Sequence, residues 1–423
     1  MKKLVCLLLA LAMVLCLAAC GEKSDSFKVG AILVGDATEG YTQAHIDGIQ
    51  AAAKTLGLAE DQIIWKYKVE ENSAAYDAAA DLVGQGCKIV FANSYGHQAF
   101  MDQAAEEFEN VTFVSMTGDF AAISGKDNLK NAFCNTYESR YVSGVVAGMK
   151  LKELLDNDQV PATGFDENGN VKIGYVGAFN YAEVVSGYTA FFLGIKSIVE
   201  NITMEVQYTS SWFDIDMENK TAKSLIANGC VIIGQHADST GAPAACEEAL
   251  NNGTVVYSVG YNVDMLTTAP HAALTSAQND WSVYYTYAIE AAMKGEKIDA
   301  DWAAGYAKGA NMISPLGDSC AAGTAEKVAE VEAAIKDGSL KVFDCATFTA
   351  DPAAQWACTI EVDADNHITS CMEDMSYMDW STGSPVCVYA GETLEAIQDG
   401  AFSESTLRSA PYFNVRIDGI IEK

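Results

Sequence analysis

The stretch KVGAILVGDATEGYTQAHIDGIQAAAKTL, residues 28–56, decides the fold. Its first part, 28–34, is a short and nearly continuous apolar run, the pattern of a strand covered on both faces. A small, polar loop follows, and from 43 to 56 the apolar side chains Ile46, Ile49, Ala53 and Leu56 fall on one side at helical spacing. Strand, loop and amphipathic helix form the repeating unit of a parallel sheet flanked by helices.

Working outward, the unit recurs. Strands are predicted over 62–68, 88–92 and 111–116, with helices over 73–85 and 97–108 between them. A second series then begins. Its strands cover 172–177, 204–208, 231–235 and 255–260, and its helices 182–200, 217–228 and 241–251. Strand starts are about 34, 26 and 23 residues apart in the first series and about 32, 27 and 24 in the second. Two similar α/β lobes follow from that match. A helix over 139–155 and a polar loop over 156–170 join them. The Asp166–Asn170 run in that loop lacks the spacing and closing glutamate of a calcium loop and reads as a turn. A further strand (272–277) and helix (281–294) come after the second series.

The chain has 423 residues, half of them hydrophobic, with 26 Lys and Arg against 57 Asp and Glu, a formal charge of −31. That balance disfavours nucleic acid and anionic lipid, which are held by basic surfaces. Residues 1–19 have the anatomy of an export signal: Lys2 and Lys3, an apolar run to Ala18, then Leu17-Ala18-Ala19-Cys20, which resembles a bacterial lipobox. Cleavage before Cys20 would leave a lipid-bearing Cys20 and a polar tether over 20–27. That places the chain on the outer face of the cell membrane, with the membrane as a partner through its lipid. Of twelve cysteines, nine remain beyond Cys20, five of them in the last quarter of the chain, where disulfides and buried thiols are both open. No CxxC and no Cys/His cluster at zinc spacing occurs, so neither a metal nor a cofactor is expected.

In open parallel sheets ligands sit beyond the carboxyl ends of the strands. The loops at those ends contain no Lys or Arg, no Walker A motif and no GxGxxG, which disfavours phosphorylated ligands. They contain the aromatic residues Tyr41, Tyr95, Phe179, Trp212 and Trp281. Their hydrogen-bonding residues include Asn93, Ser94, Asp214, His236, Asp238 and Asp264, and His45 stands just beyond the first loop. Aromatic faces stack on flat heterocycles and carboxylates or amides pair with ring edges, so a small neutral heterocycle fits. GxSxG and HExxH are absent and the histidines are scattered, so no catalytic residue is assigned.

Several of these segments are familiar together. GYTQAH (40–45), ANSYG (92–96), YESRYVSG (137–144), KIGYVGAF (172–179), SWFD (211–214), QHADS (235–239), GYNVDM (260–265), LTS (274–276) and Met378-Asp379-Trp380 occur in colinear order. They resemble the basic membrane protein (Bmp) family of bacterial ABC-transporter substrate-binding lipoproteins, which includes purine nucleoside and purine base receptors. The resemblance implies a two-lobed type I periplasmic binding protein fold, each lobe a parallel sheet flanked by helices. The first lobe is expected over 28–138 plus about 266–310, the second over 139–265 plus about 311–380, and 381–423 forms a tail without a family counterpart. It also implies an ABC permease as partner, Tyr41, Phe179 and Trp212 around the ring, polar contacts from Asn93, Asp238 and Asp264, and no enzymatic role. Residues 277–281, after Thr275-Ser276, contain no lysine, where the nucleoside branch has one near the ribose, which tilts the reading toward a free base. A sugar ligand is the alternative within the same fold. A surface nucleoside hydrolase is the remote one, since only Asp36 stands in the first loop.

Overall fold

The computed structural model describes residues 27–379 and 386–423. Residues 1–26, with Cys20, and Trp380 lie outside them.

The opening unit forms as the pattern requires. Strand β1 (Lys28–Ile32) is buried from Val29 onward, and α1 (Gly40–Leu56) turns Ile46, Ile49, Ala52 and Ala53 inward. Gly57 follows α1 in the left-handed conformation at φ 70°, where its missing Cβ costs nothing. The first lobe continues through β2 (Ile63–Lys66), α2 (Ala74–Gly84), β3 (Cys87–Ala92), α3 (Gln98–Glu107), β4 (Thr112–Met116) and β5 (Leu129–Cys134). The chain then crosses. Helix α4 (Thr136–Asp156), β6 (Val171–Gly177), α5 (Ala182–Lys196), β7 (Ile202–Tyr208), α6 (Ile215–Ala227), β8 (Ile232–Gln235), α7 (Gly241–Asn251), β9 (Tyr257–Tyr261) and β10 (Ala273–Asn279) build the second lobe. It crosses back into α8 (Ser282–Lys294) and β11 (Asp301–Ala304), then once more into β12 (Asn311–Ile313) and α9 (Thr324–Lys336).

The first sheet has the order β11-β5-β4-β3-β1-β2, parallel throughout. The second has the order β12-β10-β9-β8-β6-β7-β13, where β13 is Ile420–Glu422. Only β12 runs antiparallel, against β10.

Backbone conformation repeats between the lobes as well as the element order. Positive φ recurs after the second strand of each (Lys68, 54°; Ser210, 56°), before the third (Gly86, 89°; Gly229, 92°) and after the fourth (Thr117, 68°; Asn262, 64°). Such angles are uncommon outside glycine, and most costly for a β-branched residue such as Thr117. Finding them at matched places supports the reading of two copies.

Helices α4 and α5 approach each other closely. A Cβ on Gly144 would stand 2.2 Å from the Phe191 carbonyl oxygen, and one on Gly194 2.2 Å from that of Tyr141. Both helices are buried on nearly every side.

Three expectations need correction or extension. The first-lobe segment was expected to start near residue 266, but β10 pairs with β9 and the chain leaves the second lobe only after Asn279. Strand β5 was not anticipated, because Lys130 and Asn131 interrupt its apolar pattern although both are buried. The tail has a defined place. Its strand β13 pairs in parallel with β7, and Tyr412, Phe413, Val415 and Ile417 enter the second lobe's core. On the first lobe, the tail's Tyr389 hydroxyl donates to Asp102 and its Ser409 amide donates to Asp301 at 2.8 Å, beside Tyr377, which precedes the tail and joins that core. The segment 166–170 is a turn, with Asp166 accepting from the amides of Asn168 and Asn170.

Candidate functional site

A cavity lies between the lobes at the carboxyl ends of both sheets. Val34, Glu39, Tyr41, Ser94, Tyr95 and Thr117 line it from the first lobe. Glu183, Trp212, His236, Asp238 and Tyr261 line it from the second. Its empty space, open solvent at the mouth included, is about 510 Å³. A backbone hydrogen bond closes one end, where the Gly40 amide donates to the Asp238 carbonyl across the lobes at 3.3 Å. A side chain at Gly40 would press on that carbonyl and on Val263.

The aromatic walls are fixed from behind. Tyr41 donates its hydroxyl to the Asn93 carbonyl and sets its ring edge-on to His45, centroids 4.5 Å apart. Trp212 rests edge-on against Phe179 at 5.1 Å, and Phe179 stacks on Tyr181 at 5.3 Å. Tyr95 donates to Asp119 at 3.4 Å and to the Met378 carbonyl at 3.3 Å, so the carboxyl-terminal region supports the wall.

The polar groups are acidic or neutral. Burial raises the carboxyl pKa of Glu39, and raises that of Asp238 well above its ordinary range, with Glu39, Glu218 and Glu183 adding to the effect. One Asp238 oxygen accepts from the Asn262 amide at 2.6 Å. The buried His236 stands 3.4 Å from Glu183, and burial depresses its pKa to about 4, so it is neutral at physiological pH. The Ser94 hydroxyl is taken up by Glu71 at 2.5 Å. The cavity therefore offers ring faces, carboxyl acceptors and a neutral imidazole.

Cations stay one layer back. Arg140, buried on α4, donates to the Gln235 carbonyl at 2.5 Å and lies 3.6 Å from the ring centroid of Tyr261, a lining residue. The strand-end loops contain no such group; this one enters from a helix.

Of the expected site residues, Tyr41, Ser94, Tyr95, Trp212, His236 and Asp238 line the cavity. Six do not. Asn93 is structural, accepting the Val34 amide at 2.8 Å. His45 and Trp281 stack on each other at 4.4 Å inside the first lobe's core, with the His45 Nδ1 2.7 Å from the Tyr285 hydroxyl. Phe179 stands behind Trp212. Asp214 caps α6 by accepting from Met217, and Asp264 accepts from Leu266 within an exposed turn. Sequence reasoning missed Val34, Glu39, Thr117, Glu183 and Tyr261. All five lie in or beside the strand-end segments, so their position was the available signal.

A model of the Bmp family, ABC transporter substrate-binding proteins of the PnrA-like type, matches residues 28–313. The chain belongs to the Bmp family. Among Bmp-like relatives, a purine-binding protein of Brucella abortus is 29% identical over 77% of this chain and 86% of its own length. A putative ABC transporter glucose-binding protein of Haloferax volcanii is 27% identical over 78% of this chain and 77% of its own. An ABC transporter nucleoside-binding protein of Lactococcus lactis is 25% identical over 58% and 67%. In fold, the Bmp chain resembles an ABC solute-binding protein of Aeropyrum pernix, with a TM-score of 0.63 at 14% identity, covering 75% of this chain and 93% of that one. The Bmp match stops at 313, so the region that packs across both lobes lies beyond it.

Proposed function

We infer that the chain, a Bmp-family substrate-binding protein of an ABC system, takes a small-molecule ligand and works with a permease. We propose that its ligand is a purine, a free base in preference to a nucleoside. The observation that supports this is the lining itself: Tyr41, Tyr95, Trp212 and Tyr261 around Glu39, Glu183, Asp238 and a neutral His236, with neither Lys nor Arg among the lining residues. A purine presents two flat faces to aromatic rings and edge donors and acceptors to carboxyl groups. A phosphate would meet three carboxyl groups instead of a cation. The purine-binding and nucleoside-binding relatives favour the same class. The base preference rests on the absence of a lysine beside Thr275 and Ser276, whose hydroxyl and amide face Ser314 within the second lobe.

In this reading the cleft shuts by rotation about the three crossings, after residue 134, after 279 and after 304, and the closed form docks on the permease without chemistry on the ligand. We further propose that Cys20 carries lipid and holds the protein at the outer face of the membrane. Acylated Cys20 in the intact mass of membrane-derived protein, and release of a Cys20→Ser variant, are the expected results.

Calorimetry against adenine, guanine, hypoxanthine, adenosine, guanosine, glucose, ribose and galactose tests the ligand. A base binding at least about tenfold tighter than its nucleoside is expected. No purine bound below ~100 μM would overturn the proposal, and binding of glucose alone would establish the sugar reading that the Haloferax relative favours.

A further inference from the structure

The region beyond the Bmp match contains a second cluster of chemistry. Strand 359–362 (Thr359–Val362) pairs antiparallel with Ile368–Asp374, Thr359 opposite Met372 and Ile360 opposite Cys371. Thr359 and Met372 face solvent, while Ile360 and Cys371 face inward. One step along, Cys358 comes opposite Glu373, on the same inward face as Cys371. One ligand atom from each of Cys358, Cys371 and Glu373 lies within 4.8 Å of the other two.

We propose that Cys358, Cys371 and Glu373 bind a thiophilic divalent cation of the zinc type. The donor set of two sulfurs and a carboxylate suits Zn²⁺, with water completing four-coordination from the half-exposed Cys358 side. Spacing agrees. The Cys371 Sγ to Glu373 Oε1 distance is 3.5 Å, and bonds of ~2.3 Å to sulfur and ~2.0 Å to oxygen at a tetrahedral angle put those atoms about 3.5 Å apart.

Two features argue against a plain cluster of protonated groups or a disulfide. Glu373 is buried at 6% exposure and forms no ion pair among the described residues; its hydrogen-bond partners there are the thiols of Cys371 and Cys358. A buried carboxyl in that situation is costly. A cation beside the carboxyl removes that cost. Register disfavours a direct S–S bond. Cys358 is diagonal to Cys371, and diagonal cross-strand pairs have Cα atoms ~7–8 Å apart, beyond the usual ~4.4–6.8 Å of a disulfide. A metal ion between the sulfurs spans that gap. Two thiolates, a carboxylate and Zn²⁺ leave one negative charge at the site. No sequence motif marks the site, because the hairpin and not a CxxC spacing brings the cysteines together.

The test uses the full chain, reduced and stripped with a chelator, titrated with Zn²⁺ against a chromophoric chelator and with Co²⁺ by absorption. One Zn²⁺ per chain is expected, and Co²⁺ should show sulfur-to-metal charge transfer with the d–d bands of a four-coordinate site. Cys371→Ser should weaken Zn²⁺ binding at least about 100-fold. Because Cys371 is fully buried and its variant could misfold, the half-exposed Cys358→Ser is the second variant, with the same loss expected. Cys387→Ser, at an exposed thiol elsewhere, should bind as the parent does. Zn²⁺ binding weaker than ~10 μM in the parent overturns the proposal. So does unchanged affinity in Cys358→Ser, or a Cys358–Cys371 disulfide in the unreduced protein by mass spectrometry.

Discussion

Asp238→Asn is the sharpest test of the cleft. The side chain is 5% exposed, and one carboxyl oxygen accepts from the Asn262 amide at 2.6 Å. The substitution preserves volume. The Asn262 Oδ1 has no partner, so its amide can turn over and accept from the new side chain. Removing an acid whose ionised form is strongly disfavoured by burial costs the fold nothing, and thermal stability should hold or rise. Binding should suffer. A ligand group paired with the Asp238 carboxyl now meets an amide with a different arrangement of donor and acceptor, and a buried polar group left unpaired costs about 1–3 kcal/mol, a rise in Kd of about 5- to 150-fold. Calorimetry at pH 7 with the tightest-binding purine reads the change, and Asp264→Asn, at the exposed turn, should bind as the parent does. A folded Asp238→Asn protein with Kd within about twofold of the parent would refute the assignment of this carboxyl to ligand recognition.

Trp212→Ala should raise Kd about 5- to 150-fold, from a stacking loss of about 1–3 kcal/mol, while Trp212→Phe recovers most of it; equal affinity in all three proteins would remove Trp212 from the stack. Gly144→Ala should destabilise the fold by about 1–3 kcal/mol through overpacking against α5, read as a lowered denaturation midpoint with unchanged affinity in the surviving folded fraction. Stability should also fall between pH 6.5 and 8.5. Glu218 and Glu404 have carboxyl pKa values raised to about 7, chiefly by burial, so the native state keeps protons that the unfolded chain has already lost. The buried His45 and His236, depressed to about 3 and about 4, act with the opposite sign only below the unfolded histidine value of ~6.5. A flat or rising Tm by calorimetry across that window would contradict this account.

Where hydrophobic runs are continuous, as in β1, β3 and β6, the strands were legible, and the repeat of spacings made the two lobes legible with them. Strand β5 was not, because burial of Lys130 and Asn131 depends on neighbours that the local pattern does not contain. The site divides similarly. Loop residues at the strand ends were found, but helix geometry hid what lay behind them. His45 is one turn beyond Tyr41 on α1 and points into the core, where Trp281 meets it. Asp214 and Asp264 are used by amides two or three residues away, a local demand that competes with any ligand. Glu39 and Asp36 stand in the same loop, and only the fold distinguishes the one that lines the cavity from the one that pairs with Lys68. The carboxyl-terminal region was opaque because its partners are distant in sequence.

That distance has a consequence for how the molecule comes together. Strand β7 takes its outer neighbour from Ile420–Glu422, more than 200 residues further along the chain. Until that segment arrives, β7 is an open edge with unpaired backbone groups, the kind of surface that templates association between chains. The second lobe must therefore pass through a stage in which its sheet is unfinished, and pairings this far apart in sequence are slow to form. Any interruption of the chain between 336 and 420 would leave that edge exposed, so nicked or truncated molecules should be lost to aggregation even where the ligand cleft itself is complete.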